Sequence, residues 1–250
     1  MLLKKANELI IVACHAAFKG SVLLPLKDPA DDNNWVLLPF QKGEPKYYLA
    51  HIKHGIKLLS KKEDSILLFS GGNTRKNAGN WTEANSYLES SLYFNLWKNS
   101  TKDINDLKKR IFLEEYARDS FENLLFSICR FNEITSNYPE KITLISWSFK
   151  KERFIFHSSC INYPLNKFLF PNINNPENLS DAISGEKKAV SSFKNNYYGN
   201  KGELLEKRNS RNPFNKLIPY YKNKDLNSFF VYINNPENSQ TDYNSKLPWQ

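Results

Sequence analysis

The chain has 250 residues, 40% hydrophobic and 14% aromatic, so it can bury a core and does not have the composition of a disordered protein. Its three cysteines, Cys14, Cys129 and Cys160, are too few and too far apart for a disulfide scaffold and indicate free thiols in a reducing compartment. No apolar run approaches the roughly 18–20 residues that span a bilayer, and no signal peptide is evident, so we expect a cytoplasmic protein without a membrane partner.

The positive charge is concentrated near the C-terminus. The chain has 35 Lys and Arg against 26 Asp and Glu, a net charge of +9. Residues 187–224 contain ten basic and two acidic residues, so this segment supplies +8 and the rest of the chain is close to neutral. A uniformly basic nucleic-acid-binding protein does not have this distribution, and we rank nucleic acid below a small molecule as the partner.

Short apolar runs alternate with segments of helical periodicity over the first two thirds of the chain. Such runs are typical of strands that are buried on both faces. The predicted strands are 9–13, 66–69, 111–113 and 142–147, and the predicted helices are 45–59, 82–97, 119–134 and one that begins near Lys150. This order predicts a parallel sheet flanked by helices. With right-handed crossovers it gives an α/β fold, a Rossmann-like three-layer sandwich with a mainly parallel sheet, over residues 5–170.

Residues 171–250 differ in composition, being rich in Asn, Lys and Tyr with weak periodicity. We predict an irregular basic C-terminal extension with one helix at 225–233, held against the first domain by its aromatic residues. The sequence Ile-Asn-Asn-Pro-Glu-Asn occurs at 173–178 and again at 233–238. Because the flanking residues are not similar, we interpret both copies as loops and not as a structural repeat.

The strongest local motif is Ser70-Gly71-Gly72-Asn-Thr74-Arg75, which directly follows the second predicted strand. Ligands of open α/β sheets bind at the carboxyl ends of strands. The two glycines can expose backbone N–H groups to an anion, and the threonine and arginine add a hydroxyl and a bidentate guanidinium. A tight turn without a ligand explains the motif equally well. It is neither GxGxxG nor a P-loop, so it identifies no cofactor.

A carboxylate, Glu114, lies at the end of the third predicted strand. Apolar surroundings raise the pKa of a carboxyl group, which suits a general acid or base. Asn123, in the following helix, is expected to reach the same edge of the sheet. Asp119 and Glu122 are explained without a ligand, as a helix cap similar to a capping box.

Three further charged residues are candidates for the same crevice. Glu83 begins the helix after the glycine motif, and we expect it to orient Glu114 together with Asn123. Lys150 and Arg153 follow the fourth strand and are expected to contact an anion. Favourable placement at a helix N-terminus also explains Glu83, and a solvated helix start explains Lys150 and Arg153.

The histidines give weaker signals. His51 and His54 have the spacing of two metal ligands on a helix, but no Cys or acidic partner is near in sequence, so we predict no metal site. Cys14 and His15 follow the first strand in the order of a nucleophile and its base. Adjacent residues of an extended chain point to opposite faces, so we do not assign them that role.

Together these motifs resemble the SanA/YdcF-like family, domain of unknown function 218, over about residues 9–160. The residues that carry the resemblance are Gly71-Gly72, Glu83-Ala84, Glu114, Glu122-Asn123, Ser148-Phe149 and Arg153. A fungal branch of the family is more similar still and extends the resemblance over most of the chain, through Cys14-His15-Ala16, 39–44, 114–131, 211–214 and Pro248-Trp249. The resemblance implies a Rossmann-like fold and no settled reaction.

Three positions depart from the family pattern. Thr82 and Ser120 stand where the family usually has Ser and Thr, and Lys150 stands where many bacterial members have His. If that His is catalytic, this chain uses Lys150 in its place or lacks the chemistry.

Two functions from different classes fit the sequence. The first is binding of a small anionic or nucleotide-like ligand at the carboxyl edge of the sheet, in a hydrolase, a group transferase or a binding protein. The second is a non-catalytic module that uses the basic C-terminal segment to bind RNA or an acidic partner. A degenerate family member that keeps the fold without activity is a third interpretation, and the cofactor is not identified.

Overall fold

A computed structural model describes residues 3–19, 28–98 and 104–250. The strands are β1 (Glu8–Ala13), β2 (Ala17–Phe18), β3 (Trp35–Val36), β4 (Ser65–Ser70), β5 (Ile111–Glu114), β6 (Lys141–Ile145) and β7 (Phe168–Leu169). The helices are α1 (Pro45–Leu59), α2 (Glu83–Tyr93), α3 (Ile104–Lys108), α4 (Ser120–Thr135), α5 (Lys151–Cys160), α6 (Leu179–Lys194), α7 (Gly202–Ser210) and α8 (Asn227–Asn234). No helix in the described ranges is both long and apolar enough to cross a bilayer.

The central sheet has five parallel strands in the order β5-β4-β1-β6-β7. β1 lies in the middle, where Val12 is opposite Phe69 of β4 and Ile145 of β6. The chain proceeds from β1 to one side through β4 and β5, and then crosses to β6 on the other side. The strand order therefore reverses between β1 and β6, and such a reversal opens a crevice at the carboxyl ends of the strands.

Helices cover both faces of the sheet, which makes the fold a Rossmann-like three-layer α/β sandwich. Side chains of β1 alternate between the two faces, as strand geometry requires. Ile10 and Val12 pack in a core with α1 and α2, whereas Leu9 and Ile11 pack in a second core with α4 and α5. The predicted fold class is confirmed.

The predicted strands and the first helices are confirmed with shifts of a few residues at their ends. α2 ends at Tyr93, earlier than the predicted 97, and the capping role of Asp119 is confirmed because its carboxylate accepts the N–H of Glu122. The first copy of the repeated hexapeptide forms neither helix nor strand. The second copy begins inside α8 and ends in a 3₁₀ turn, Pro236–Asn238, so its interpretation as a loop is only partly right.

α6 and α7 are absent from the sequence-based prediction. α7 buries only Arg208, and α6 buries only Glu186, Val190 and Phe193. α7 places a charged group against the protein and has no apolar stripe, so hydrophobic periodicity does not reveal it. α6 does carry apolar residues at helical spacing, Ile183, Val190 and Phe193, and the prediction of an irregular segment overlooked this pattern.

The C-terminal segment packs against the face of the sheet that α4 and α5 cover. Phe193, Tyr198 and Phe229 belong to the same hydrophobic core as α4. Near the end of the chain, the indole N–H of Trp249 donates to the carbonyl of Ile161 at 2.8 Å. The segment therefore contributes to the core of the domain as well as to its surface.

A buried arginine joins this segment to the start of α4. Arg208 Nε donates to Asp119 Oδ2 at 2.7 Å, and its Nη2 donates to the carbonyl of Tyr198 at 2.7 Å. Glu122 Oε1 lies 3.4 Å from the same guanidinium, whose side chain is 6% exposed. Burial alone would raise the pKa of Asp119, but the Arg208 guanidinium lowers it below its usual value.

We expect Arg208→Met to lower the free energy of unfolding by about 3–5 kcal/mol, because the change leaves Asp119 buried without its cation. Urea denaturation followed by circular dichroism measures this loss. Lys188→Met, at an exposed position of α6, is the control and should change stability by less than about 0.5 kcal/mol. Equal stability of the two variants would contradict the structural role of Arg208.

Candidate functional site

A cavity of about 990 Å³ lies at the carboxyl end of the sheet. Its walls come from the segments that follow β1, β4, β5 and β6, from residues 38–44, from α6 and from the end of α7. α6 presents Ala182, Gly185 and Ala189 to it, so this wall has little side-chain volume. Ligand-binding clefts are typically about 300–1,000 Å³, and the cavity is at the upper end of that range.

The structure brings six of the ten predicted site residues to this cavity and leaves four behind its wall. The six are Thr74, Arg75, Glu83, Asn123, Lys150 and Arg153. The four that do not line it are Ser70, Gly71, Gly72 and Glu114.

The glycine turn is explained by close packing and not by an anion. The N–H of Gly71 donates to the carbonyl of Glu114 at 3.0 Å, and that of Gly72 donates to the carbonyl of Ala117 at 2.7 Å. A Cβ at Gly71 would lie 2.9 Å from the Cβ of Glu83, and one at Gly72 would lie 2.8 Å from the oxygen of Ala117. Because both N–H groups are already used, the predicted anion cradle does not fit this geometry.

Glu114 also departs from its predicted role. It is fully buried, and its Oε2 accepts the Ser70 hydroxyl at 2.6 Å while Oε1 accepts the N–H groups of Tyr116 and Ala117 at 2.8 and 3.1 Å. Asn123 donates through Nδ2 to the Ser70 carbonyl and hydroxyl, at 3.0 and 2.9 Å. The network ties β4, β5 and α4 together, and Glu114 does not reach a ligand in the cavity.

Thr74 and Arg75, two further residues predicted to bind the ligand, form hydrogen bonds with other residues of the protein. The hydroxyl of Thr74 donates to Glu83 Oε1 at 2.5 Å. The guanidinium of Arg75 donates to the carbonyl of Val36 at 2.9 Å and to Gln41 Oε1 at 2.7 Å. Arg75 therefore ties the β4 turn to β3 and to the segment before α1, which shapes the cavity floor.

Arg153 is held in a fixed orientation at the cavity wall. Its Nε and Nη2 donate to the two carboxylate oxygens of Glu186, each at 2.8 Å, and its Nη1 donates to Ser120 Oγ at 2.9 Å. Ser120 Oγ also lies 2.8 Å from Nε2 of His157. Burial lowers the pKa of His157 to about 3, so this imidazole is neutral and serves as a hydrogen-bonding support.

Lys150 lies beside a residue that sequence reasoning did not select. Its Nζ is 3.5 Å from Nδ1 of His15, whose Nε2 is 3.4 Å from Ser146 Oγ and whose ring stacks on Trp147 with centroids 5.9 Å apart. Burial, followed by the charge of Lys150, holds the pKa of His15 well below its usual value. Burial, followed by the charge of Arg153, lowers the pKa of Lys150 to about 7.

The pairing of Cys14 with His15 is not supported as a nucleophile and base. The Cys14 thiol lines the cavity wall but donates to the carbonyl of Val12 at 3.5 Å, and burial raises its pKa well above the usual value. The thiol therefore stays protonated and unreactive. In the cavity, the His15 ring contacts Lys150, which is 135 positions away in the sequence. No local sequence pattern indicates this contact.

Most carboxylates of the wall have a defined partner. Glu186 binds Arg153 and Asp119 binds Arg208, as described above. Glu177 binds Lys46, and Glu44 accepts the hydroxyl of Tyr48 at 2.5 Å. Three wall carboxylates are thus ion-paired, whereas the other three, Glu44, Glu83 and Asp181, contact only uncharged side chains among the described residues.

Several basic side chains of the wall lack such a partner. Lys150, Lys207 and Arg211, together with Lys42 at the exposed rim, form no ion pair with any residue that the structure describes. Lys150, Lys207 and Arg211 are named here the cation cluster. Burial is the main cause that lowers the pKa of Lys207, and the charges of Arg211 and Arg153 lower it further. The charge of Arg211 also lowers the pKa of Lys150. Lys150, Lys207 and Arg211 are therefore close enough to repel one another.

Comparisons with known proteins identify a relative and no activity. No family model matches the chain, so its resemblance to the SanA/YdcF-like family stays a prediction. No solved structure matches it. The uncharacterized protein YOR238W of Saccharomyces cerevisiae is 33% identical to it over 299 aligned positions, which cover 97% of each chain.

The buried Glu114 carboxyl should make the stability of the protein depend on pH. Burial raises its pKa from 4.5 to about 8. Between pH 4.5 and pH 8 the folded protein holds a proton on Glu114 that the unfolded chain has lost. The contribution of this protonation to the free energy of unfolding is therefore fully present below pH 4.5 and is lost as the pH rises to 8. The size of the loss is on the order of 3–5 kcal/mol.

Glu114→Gln should remove this loss, because the neutral amide keeps both backbone N–H groups satisfied and donates to Ser70. Urea denaturation at intervals from pH 5 to 9 measures the stability difference between the variant and the original protein. The difference should shift in favour of the variant as the pH rises, with Glu63→Gln as the exposed control. A constant difference would show that the buried carboxyl does not retain its proton.

Proposed function

The chain belongs to the family of the yeast protein YOR238W, and we propose that it binds an anionic, nucleotide-like small molecule in the cavity at the carboxyl edge of the sheet. The proposed activity is hydrolysis or group transfer on that ligand. The observation that carries the proposal is the cation cluster, three basic side chains that line one cavity and form no ion pair among the described residues.

Electrostatics supports an anion at this place. Like charges that share a partly desolvated site repel one another, and this repulsion opposes their protonated forms. An anion between Lys150, Lys207 and Arg211 would remove the repulsion and accept charge-assisted hydrogen bonds, which are the strong ones. Arg153 lies beside the cluster but is already neutralised by Glu186, so it orients the wall more than it attracts the ligand.

Aromatic side chains that line the same cavity support a planar group in the ligand. Tyr47, Trp147 and Phe149 line the cavity, and Phe40 lines it at the rim with 75% of its surface exposed. A nucleobase stacks well on such rings. The combination of these aromatic rings with the cation cluster in one cavity is why we propose a nucleotide-like ligand and not a bare inorganic anion.

The finer assignments are part of the proposal. Membership of the fungal branch of the SanA/YdcF-like family is supported by the parallel sheet and by four residues of the family motifs that line one cavity, Glu83, Asn123, Phe149 and Arg153. A cytoplasmic location is supported by the three cysteines, which are all free and buried. RNA stays the less favoured partner because Arg208 and Arg211 of the basic segment direct donors into the protein, to Asp119 and to the carbonyl of Arg118.

The proposal predicts that anionic ligands stabilise the protein through the cation cluster. Thermal unfolding in the presence of pyrophosphate, nucleoside phosphates and sugar phosphates should reveal a ligand that raises the midpoint by about 5–10 °C at 100 times its dissociation constant. Arg211→Met and Lys150→Met should each weaken that ligand about 10- to 100-fold, because each removes a charged hydrogen-bond donor.

Lys151→Met is the matched control for this measurement. Lys151 is the next residue along the chain, is exposed and does not line the cavity, so the variant should bind like the original protein. The proposal fails if no anion of the panel shifts the midpoint, or if Lys151→Met weakens binding as much as Lys150→Met does.

A further inference from the structure

We propose that Lys150 is a nucleophilic amine that forms an imine with the carbonyl carbon of a small aldehyde or ketone bound in the cavity. The proposal rests on the proposed function, because the other two members of the cation cluster, Lys207 and Arg211, would hold an anionic group of the same molecule. The substrate class is therefore a carbonyl compound that carries a phosphate or carboxylate group.

The position of the side chain suits a nucleophile. Lys150 directly precedes α5 and lines the cavity, and its side chain is largely buried but not sealed from solvent. Its Nζ lies 5.7 Å from the centre of the Phe149 ring and 3.5 Å from Nδ1 of His15. No described carboxylate forms an ion pair with it, so no strong contact has to be broken before the amine can react.

The charged groups that face Lys150 come from five parts of the fold. They are His15 after β1, Glu44 before α1, Arg153 on α5, Glu186 on α6 and Arg211 after α7. The two carboxyl groups are held elsewhere, Glu186 by Arg153 and Glu44 by the hydroxyl of Tyr48. The two guanidiniums oppose a third positive charge.

Burial and these guanidiniums favour the neutral amine. They lower the pKa of Lys150 to about 7, so protonated and neutral forms coexist near neutral pH. Lysines that are desolvated or lie beside another cation are the ones that form Schiff bases in enzymes, because only the neutral amine has a free lone pair. His15 adds to this, since a neutral imidazole next to the amine can accept its proton.

The reaction balances without a further reactant. The lone pair of Nζ attacks the carbonyl carbon, and the C=O π electrons move to the oxygen, which takes up the proton released by the nitrogen. His15 Nδ1, 3.5 Å from Nζ, is placed to relay that proton. The resulting carbinolamine loses its hydroxyl and the second N–H proton as water, which leaves a C=N bond between the substrate and Lys150.

Pyridoxal 5′-phosphate, an anionic aldehyde, is the probe for this chemistry. The full-length protein is incubated with it at pH 7, the imine is reduced with borohydride, and the labelled lysines are mapped by peptide mass spectrometry. We expect labelling of Lys150 at least about tenfold above that of Lys151, which is exposed and does not line the cavity that would hold the phosphate group.

Two variants test the environment of the amine. Arg211→Met should reduce labelling of Lys150, because it removes a cation that attracts the phosphate and favours the neutral amine. Lys151→Met should leave it unchanged. Circular dichroism and the thermal midpoint establish whether both variants are folded. If one is not, the original protein is labelled in the presence of pyrophosphate instead, which should compete for the phosphate site and reduce labelling of Lys150.

Pyridoxine 5′-phosphate, which has the same phosphate and ring but no aldehyde, separates this proposal from the proposed function. If it protects Lys150 from labelling, both proposals are supported. If it binds and competes with other anions but Lys150 is labelled no faster than Lys151, the imine proposal is overturned and the anion site stands. If neither compound binds, the imine proposal is overturned, whereas the proposed function still stands or falls with the panel of pyrophosphate, nucleoside phosphates and sugar phosphates.

Discussion

The contact between Asp119 and Arg208 determines where the last third of the chain lies. Asp119 caps α4 through the N–H of Glu122 and at the same time binds the guanidinium of α7. This brings α6 and α7 to the mouth of the sheet, where they supply Glu186, Lys207 and Arg211. The contact thus holds in place the end of the chain segment that supplies Lys207 and Arg211, two of the three members of the cation cluster.

The sequence predicts the Rossmann-like part well because its signals are local. A buried parallel strand is a short apolar run, and α4 has a cap and an apolar stripe that can be read within twenty residues. The site is predicted less well. Gly71, Gly72 and Glu114 carry the residue types of an anion-binding and catalytic motif, but their polar groups hold β4, β5 and α4 together.

The residues that sequence reasoning missed depend on contacts between distant segments. His15 becomes a candidate only when β6 places Lys150 beside it, and Arg211 only when Arg208 fixes α7. The localisation of the net charge did contain a correct signal, since the basic segment 187–224 provides two cavity cations. Part of this excess charge, at Lys207 and Arg211, therefore lines the crevice.

The small side chains that α6 presents to the cavity make this helix a natural place to alter ligand selectivity. A Cβ built at Gly185 meets no heavy atom within 4 Å, and Ala182 and Ala189 flank it on the same face. Larger side chains at these positions would extend into empty space and not into the hydrophobic core. Related chains could therefore accept ligands of different length on one scaffold, by changing the depth of a pocket whose polar groups stay where they are.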